Sequence, residues 1–288
     1  MHKTICFLIL CGGVFFQSCT IEPPQNNTPI PQLPDAITNQ VKLSSEIEWE
    51  QLNPARGDQS PQAGTIWGDR KGEVATGFLA KFVDGFSSPP HIHNVSYRAV
   101  VINGLVHNDD PAAEKMWMPT GSYWTQPAGE AHITAVKGSE NIAYVEIESG
   151  PYLVWPTEQA NDNGERPINV DYKNLVWLDW MTTPVIENSP NASKTRIAFL
   201  WQEEKLQGYM LKLEPGFKGS ILSDGNTFRA IVITGTPDYR MPNASEAQTL
   251  DPGSSFSSTG ISIHPISTSG DAETLLYIRA DGNLRVTS

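Results

Sequence analysis

Two histidines one residue apart, His91 and His93, and a third at His132 are the residues best suited to chemistry in this sequence. In a strand, successive side chains point to opposite faces, so His91 and His93 share a face and can grip one ion. Imidazole suits Fe, Zn, Cu or Ni, and three protein ligands leave positions open for water or substrate. The plain alternative is a set of buried histidines serving as hydrogen-bonding groups. Of the three cysteines, Cys6 and Cys11 lie in an N-terminal apolar run and the third is Cys19. The rest of the chain therefore has no disulfide and no thiolate ligand, and any metal must be held by histidine and oxygen.

Other chemistries leave no trace. There is no G-x-S-x-G elbow, no phosphate loop and no H-E-x-x-H, which points away from triad hydrolysis and zinc proteolysis. The formal charge of −12 argues against a nucleic-acid partner, whose phosphates call for clustered Lys and Arg.

The elements that must position the histidines are short and alternating. Segments such as Ala75 to Val83, Tyr97 to Ile102 and Asn141 to Ile147 carry a strand period, and turns such as Pro119-Thr120-Gly121 separate them. With 23 glycines, 22 prolines and no sustained helical period, the sequence predicts an all-β protein of antiparallel strands closing into a sandwich or barrel. At 288 residues it is long enough for two such domains. Residues 1–18 read as a signal peptide: a basic start, an apolar run from Ile5 to Phe16 too short to span a bilayer, then Ser18-Cys19. That ending resembles a bacterial lipoprotein signal, with lipid on Cys19, although Phe16 and Gln17 depart from its preferred residues; an ordinary secretory signal is the rival. The predicted location is the cell envelope, lipid-anchored and facing the periplasm or surface, or else secreted or periplasmic. Residues 19–40 read as a Pro/Asn-rich tether, 41–155 as the first domain, 156–172 as a linker and 173–288 as the second domain.

The two domains are copies. The stretch GFLAKFVDGF at 77–86 aligns with GYMLKLEPGF at 208–217, and SYRAVVING at 96–104 with TFRAIVITG at 227–235, both at an offset of 131. The duplicate serves as an internal control. His91 pairs with Leu222, His93 with Asp224, Tyr97 with Phe228 and His132 with His264, so the second copy is expected to be metal-free and kept for packing.

These residues resemble the cupin superfamily, whose motifs are G-x5-H-x-H-x3-E-x6-G and G-x5-P-x-G-x2-H-x3-N. Gly85, His91, His93 and Gly104 fit the first, and Gly121, Pro127, Gly129 and His132 fit the second, while Tyr97 replaces the glutamate and Val136 the asparagine. The chain is similar to an uncharacterised bacterial two-cupin family, close to the cupin of ChrR-type anti-sigma factors. The resemblance implies two double-stranded β-helix (jelly-roll) barrels and one divalent metal, Fe, Zn, Mn or Ni, on His91, His93 and His132. Without the glutamate the site keeps a charge of about +2 and favours anionic oxygen-bearing guests. Three-histidine cupins that cleave C–C bonds with Fe(II) and dioxygen are the enzymatic precedent.

Two readings of function follow. One is a metal-dependent enzyme, an oxygenase or a Lewis-acid lyase or isomerase, acting on a small oxygen-rich molecule. The other is an envelope ligand-binding protein with a structural or ligand-capturing metal; a homodimer is left open in either. Tyr97 is a candidate to bond a bound water or substrate, or to ligate, against the alternative that its position wants an aromatic. Glu130 and Glu146 are spare carboxylates for acid or base work, with a solvated face the default for Glu146. Arg98, opposite Tyr97 by strand parity, and Arg229 suggest a structural ion pair between the copies. His107 is expected to be exposed in a turn, and Trp117, Tyr123 and Trp124 to line a pocket mouth or fill the core.

Overall fold

Strand parity in the pair Tyr97–Asp109 and Ile133–Ile147 organises the molecule. Tyr97, Ala99 and Val101 face one apolar cluster with Ala143, Val145 and Ile147, while Val100 and Ile102 face another with Tyr144. Both faces of these strands are buried, which explains why they read as continuous apolar runs. The computed structural model describes residues 38–288, so the signal segment, most of the tether and all three cysteines lie outside the described residues.

A seven-stranded sheet runs in the order Ile168–Val170, Tyr123–Gln126, Tyr97–Asp109, Ile133–Ile147, Thr76–Phe82, Gln62–Trp67, Glu50–Gln51. The second copy builds a six-stranded sheet, Asn39–Lys42, Ser255–Ser258, Phe228–Thr234, Thr274–Ala280, Leu206–Leu213, Thr195–Glu203. A five-stranded sheet centred on Ser262–Ser267 and Lys218–Ser223 completes that copy. Each copy is thus a jelly roll of two packed layers. The sheets do not close by hydrogen bonds into full barrels; in copy one the two long strands bend from one layer to the other where their register shifts, between Val101 and Leu105.

The shared framework recurs in both copies. Gly85 and Gly104 have φ of 69° and 83°, and their duplicates Gly216 and Gly235 have 74° and 80°, a left-handed region that side chains disfavour. Gly77 and Gly208 are needed for space: a Cβ there would run into the indoles of Trp67 and Trp201.

Three apolar clusters fill the interior. One lies inside copy one and one inside copy two, and a third joins the two large sheets through Val100, Ile102, Tyr144, Trp201, Ile231, Ile233 and Tyr277. The junction is pseudo-symmetric. Trp67 donates to Tyr144 Oη at 3.0 Å and Trp201 to Tyr277 Oη at 2.9 Å; Arg98 stacks on Trp201 at 3.8 Å and Arg229 on Trp67 at 4.0 Å. Arg98 also pairs with Glu148 at 2.6 Å and with Glu203 of the second copy. The ion pair expected between the copies is present at Arg98, whereas Arg229 uses an aromatic face.

The copies also exchange their leading strands. Asn39–Lys42 pairs antiparallel with Ser255–Ser258 of copy two, and Ile168–Val170 pairs with Tyr123–Gln126 of copy one. The tether thus ends in a strand and the linker supplies one, neither visible as a periodic pattern in such short, polar-flanked segments.

Candidate metal centre

His91 and His132 are held side by side by backbone pairing, each donating to the other's carbonyl at 3.0 Å. His93 follows on the two-residue strand Ile92–His93, which pairs with Val154–Trp155 and accepts Gly129 N–H at 2.9 Å. One nitrogen from each ring lies within 4.8 Å of the other two, a spacing from which imidazoles can close on an ion held at about 2.0–2.1 Å. Ring centroids are 4.3 to 5.3 Å apart.

The protonation pattern is fixed by the backbone. Nδ1 of His91 lies 3.0 Å from Pro89 O, that of His93 2.9 Å from Leu153 O, and that of His132 3.1 Å from Glu130 O. A carbonyl can only accept, so every Nδ1 carries the proton and every Nε2 presents a lone pair. Burial holds all three rings neutral: it lowers the pKa of His91, takes His132 down to about 3, and with its two histidine neighbours pushes His93 well below its ordinary value. Three neutral imidazoles with anchored Nδ1–H groups and unprotonated Nε2 atoms are the donor set that a divalent ion requires, and the residues present fit one.

Around them lies a buried polar network. Tyr97 donates to Asn108 Oδ1 at 3.0 Å and sits 3.5 Å from His132 Nε2. Thr134 donates to the same Asn108 oxygen at 2.8 Å, and Asn108 donates to Gln126 at 2.8 Å. Burial pushes the Tyr97 phenol up from its ordinary value, so it stands protonated.

The other candidates fall elsewhere. Glu146 shares a cross-strand pair with Arg98, on the face opposite Tyr97, and is fully buried between the copies. It accepts from Tyr144 at 2.9 Å and from Tyr277 at 2.7 Å, with Arg279 at 3.5 Å. It is therefore neither a solvated residue nor a partner of the histidines; the expectation of acid or base work there is corrected. Glu130 contributes its backbone carbonyl to His132, while burial and the neighbouring Asp109, Asp162 and Asp110 raise its carboxyl pKa. His107 is buried at 1% exposure within the strand, because pairing with Ala135 extends the strand through the expected turn. Tyr123 and Trp124 are core residues, Tyr123 between the copies and Trp124 inside copy one, and Trp117 is half-buried.

Sequence reasoning missed Tyr152. Its hydroxyl lies 3.0 Å from His93 Nε2 and its ring stacks on that imidazole at 4.3 Å and 19°. No motif covers it. The internal control held a signal nonetheless, since the matching region of copy two, Gly282-Asn283-Leu284-Arg285, has no aromatic.

Known structures share this architecture. A protein from Nostoc punctiforme described as a "putative dioxygenase" superposes with a TM-score of 0.62 at 16% identity, covering 85% of this chain and 83% of its own. Oxalate decarboxylase from Lactobacillus farciminis, in a formate complex, gives 0.56 at 10% identity over 86% and 87%. AerE from Microcystis aeruginosa gives 0.55 at 12% identity over 83% and 97%. At these identities the likeness establishes the fold, a duplicated cupin. A search of curated proteins gives no match. The match over residues 40–287 to the family model described as "Domain of unknown function (DUF4437)" establishes that the chain belongs to that family.

Proposed function

We propose that this protein is a mononuclear metal-dependent enzyme of the cell envelope acting on a small oxygen-rich, anionic molecule at the three-histidine site of copy one. The observation that carries the reading is the set of Nε2 lone pairs, each fixed by a carbonyl on the opposite ring nitrogen. His91, His93 and His132 would hold the ion; Fe would supply redox chemistry with dioxygen, and Zn, Mn or Ni would supply Lewis acidity. The chain's own residues then set the guest. Among the described residues no carboxylate joins the three imidazoles, so an anionic oxygen group is the complement of the charge that would be left on the site. Tyr97, held by Asn108, keeps a protonated phenol beside His132 and positions that ring. Support for a redox or decarboxylating reaction comes from the names of the dioxygenase and oxalate decarboxylase neighbours. A lipid on Cys19 would anchor the protein, tested by membrane fractionation of Cys19→Ser.

Metal content of protein purified without chelators, measured by mass spectrometry, is expected to reach one ion per chain and to vanish in His91→Ala. Equal, negligible metal in both would overturn the site. Oxygen uptake by the Fe(II)-loaded protein and decarboxylation by the Mn-loaded one are then measured against diketones, catechols, sugar acids and oxalate. Tight binding of one of these without turnover would assign the protein a ligand-capturing role instead.

A further inference from the structure

The two phenols beside the histidines differ in what a metal would take from them. Tyr97 has an acceptor of its own, Asn108 Oδ1. Tyr152 donates to His93 Nε2, because His93 Nδ1–H is committed to Leu153 O. Its ring is fixed by stacking on His93, by Phe78 at 5.2 Å and by Tyr97 at 5.9 Å. One lone pair cannot serve both a phenolic proton and a metal ion. Metal binding at His93 would therefore strip Tyr152 of its acceptor and leave a half-buried O–H group in need of another.

We propose that Tyr152 is the hydrogen-bond donor that recognises the bound ligand, through an anionic oxygen of the carboxylate or enolate type placed at the open coordination position. The assignment rests on the metal reading above. It also assigns the two phenols unequal tasks: Tyr152 engages the incoming oxygen, while Tyr97 belongs to the Asn108, Thr134 and Gln126 network and positions His132.

The test uses the full-length protein loaded with Co(II), with acetate as the probe and the visible Co(II) absorption as the readout. Tyr152→Phe should keep its cobalt, held as tightly as in wild type or tighter because a competitor for His93 Nε2 is gone. It should bind acetate about tenfold more weakly, the worth of one hydrogen bond to a charged oxygen. Tyr97→Phe should change acetate affinity by less than about threefold, since the bond it loses is to Asn108. Should Tyr152→Phe misfold, Tyr152→His, which restores a ring with an N–H donor, should recover acetate binding. Unchanged acetate affinity in Tyr152→Phe at full cobalt content overturns the assignment. Loss of cobalt from a folded Tyr152→Phe protein also overturns it, by making Tyr152 part of the metal's own support. A wild type that takes up no cobalt instead brings down the metal reading, and the donor role with it.

Discussion

Inside copy one, the space between the layers is lined by His91, His93, His132, Tyr97, Asn108 and Gln126; inside copy two, the equivalent space is filled by Phe228, Tyr239, Phe256 and His264. The retained histidine shows what changed. His264 stacks on Phe228 at 4.3 Å and is hydrogen-bonded by Tyr239 at 2.9 Å and Ser258 at 3.0 Å, so both of its ring nitrogens are used. Asp224, at the place of His93, is exposed and bonded to Asn283. The same framework thus builds a cluster of three histidines in one copy and an aromatic plug in the other, and the difference lies in side chains that the fold does not need.

That comparison can be broken at several scales. The largest effect should come from cutting it in two: residues 38–155 and 173–288, expressed separately, each lack the strand that caps their own sheet, Ile168–Val170 for the first and Asn39–Lys42 for the second, and bury no junction. Neither is expected to be soluble and folded, whereas the whole chain should melt in one transition by calorimetry; independent folding of either half would refute the exchange as a requirement.

The next effect is at the junction. Glu146→Leu removes the acceptor shared by Tyr144 and Tyr277 and leaves buried polar groups unpaired, at a cost of about 3 kcal/mol in urea unfolding. Metal content should stay at the wild-type level, which distinguishes a structural carboxylate from a ligand.

A comparable contribution is pH-dependent. Burial brings His264 down to about 4 from an ordinary 6.5. Below pH 6.5 the unfolded chain takes up the proton first, so the stability held above that pH falls as pH drops and levels off below about 4. The metal-free wild type should lose about 3 kcal/mol from this group between pH 7 and pH 4. His264→Phe should remove that share, so a stability difference between the two proteins that stays constant with pH would contradict it.

The smallest expected effect is the most pointed. Leu222→His with Asp224→His restores three histidines by sequence, yet the aromatic plug and the bonded His264 leave no lone pairs converging. Metal content should not rise above that of the wild type; a second equivalent would show that the plug yields.

The sequence carried the site further than its surroundings. Strand parity and motif spacing brought His91, His93 and His132 together, and the duplicate separated the framework glycines from the histidines that do not recur. Glu146 escaped because a charge on an apolar strand reads as a solvated face, and its partners Tyr277 and Arg279 sit on the other copy. His107 escaped because a polar Asn-Asp-Asp-Pro run masks a strand that cross-strand pairing extends. Tyr152 escaped because it lies outside any repeated pattern and meets His93 only through the fold.

The exchanged strands set an order of events during folding. Asn39–Lys42 is the first described strand in sequence order, and its partner Ser255–Ser258 lies in the second copy. Ile168–Val170 finds Tyr123–Gln126 far sooner. The half that carries the three histidines can therefore pair its sheet locally, but its leading strand must wait for a partner far along the chain. Pairings of such sequence separation are slow to form, so the contact of Asn39–Lys42 with Ser255–Ser258 is expected to close after the local sheets.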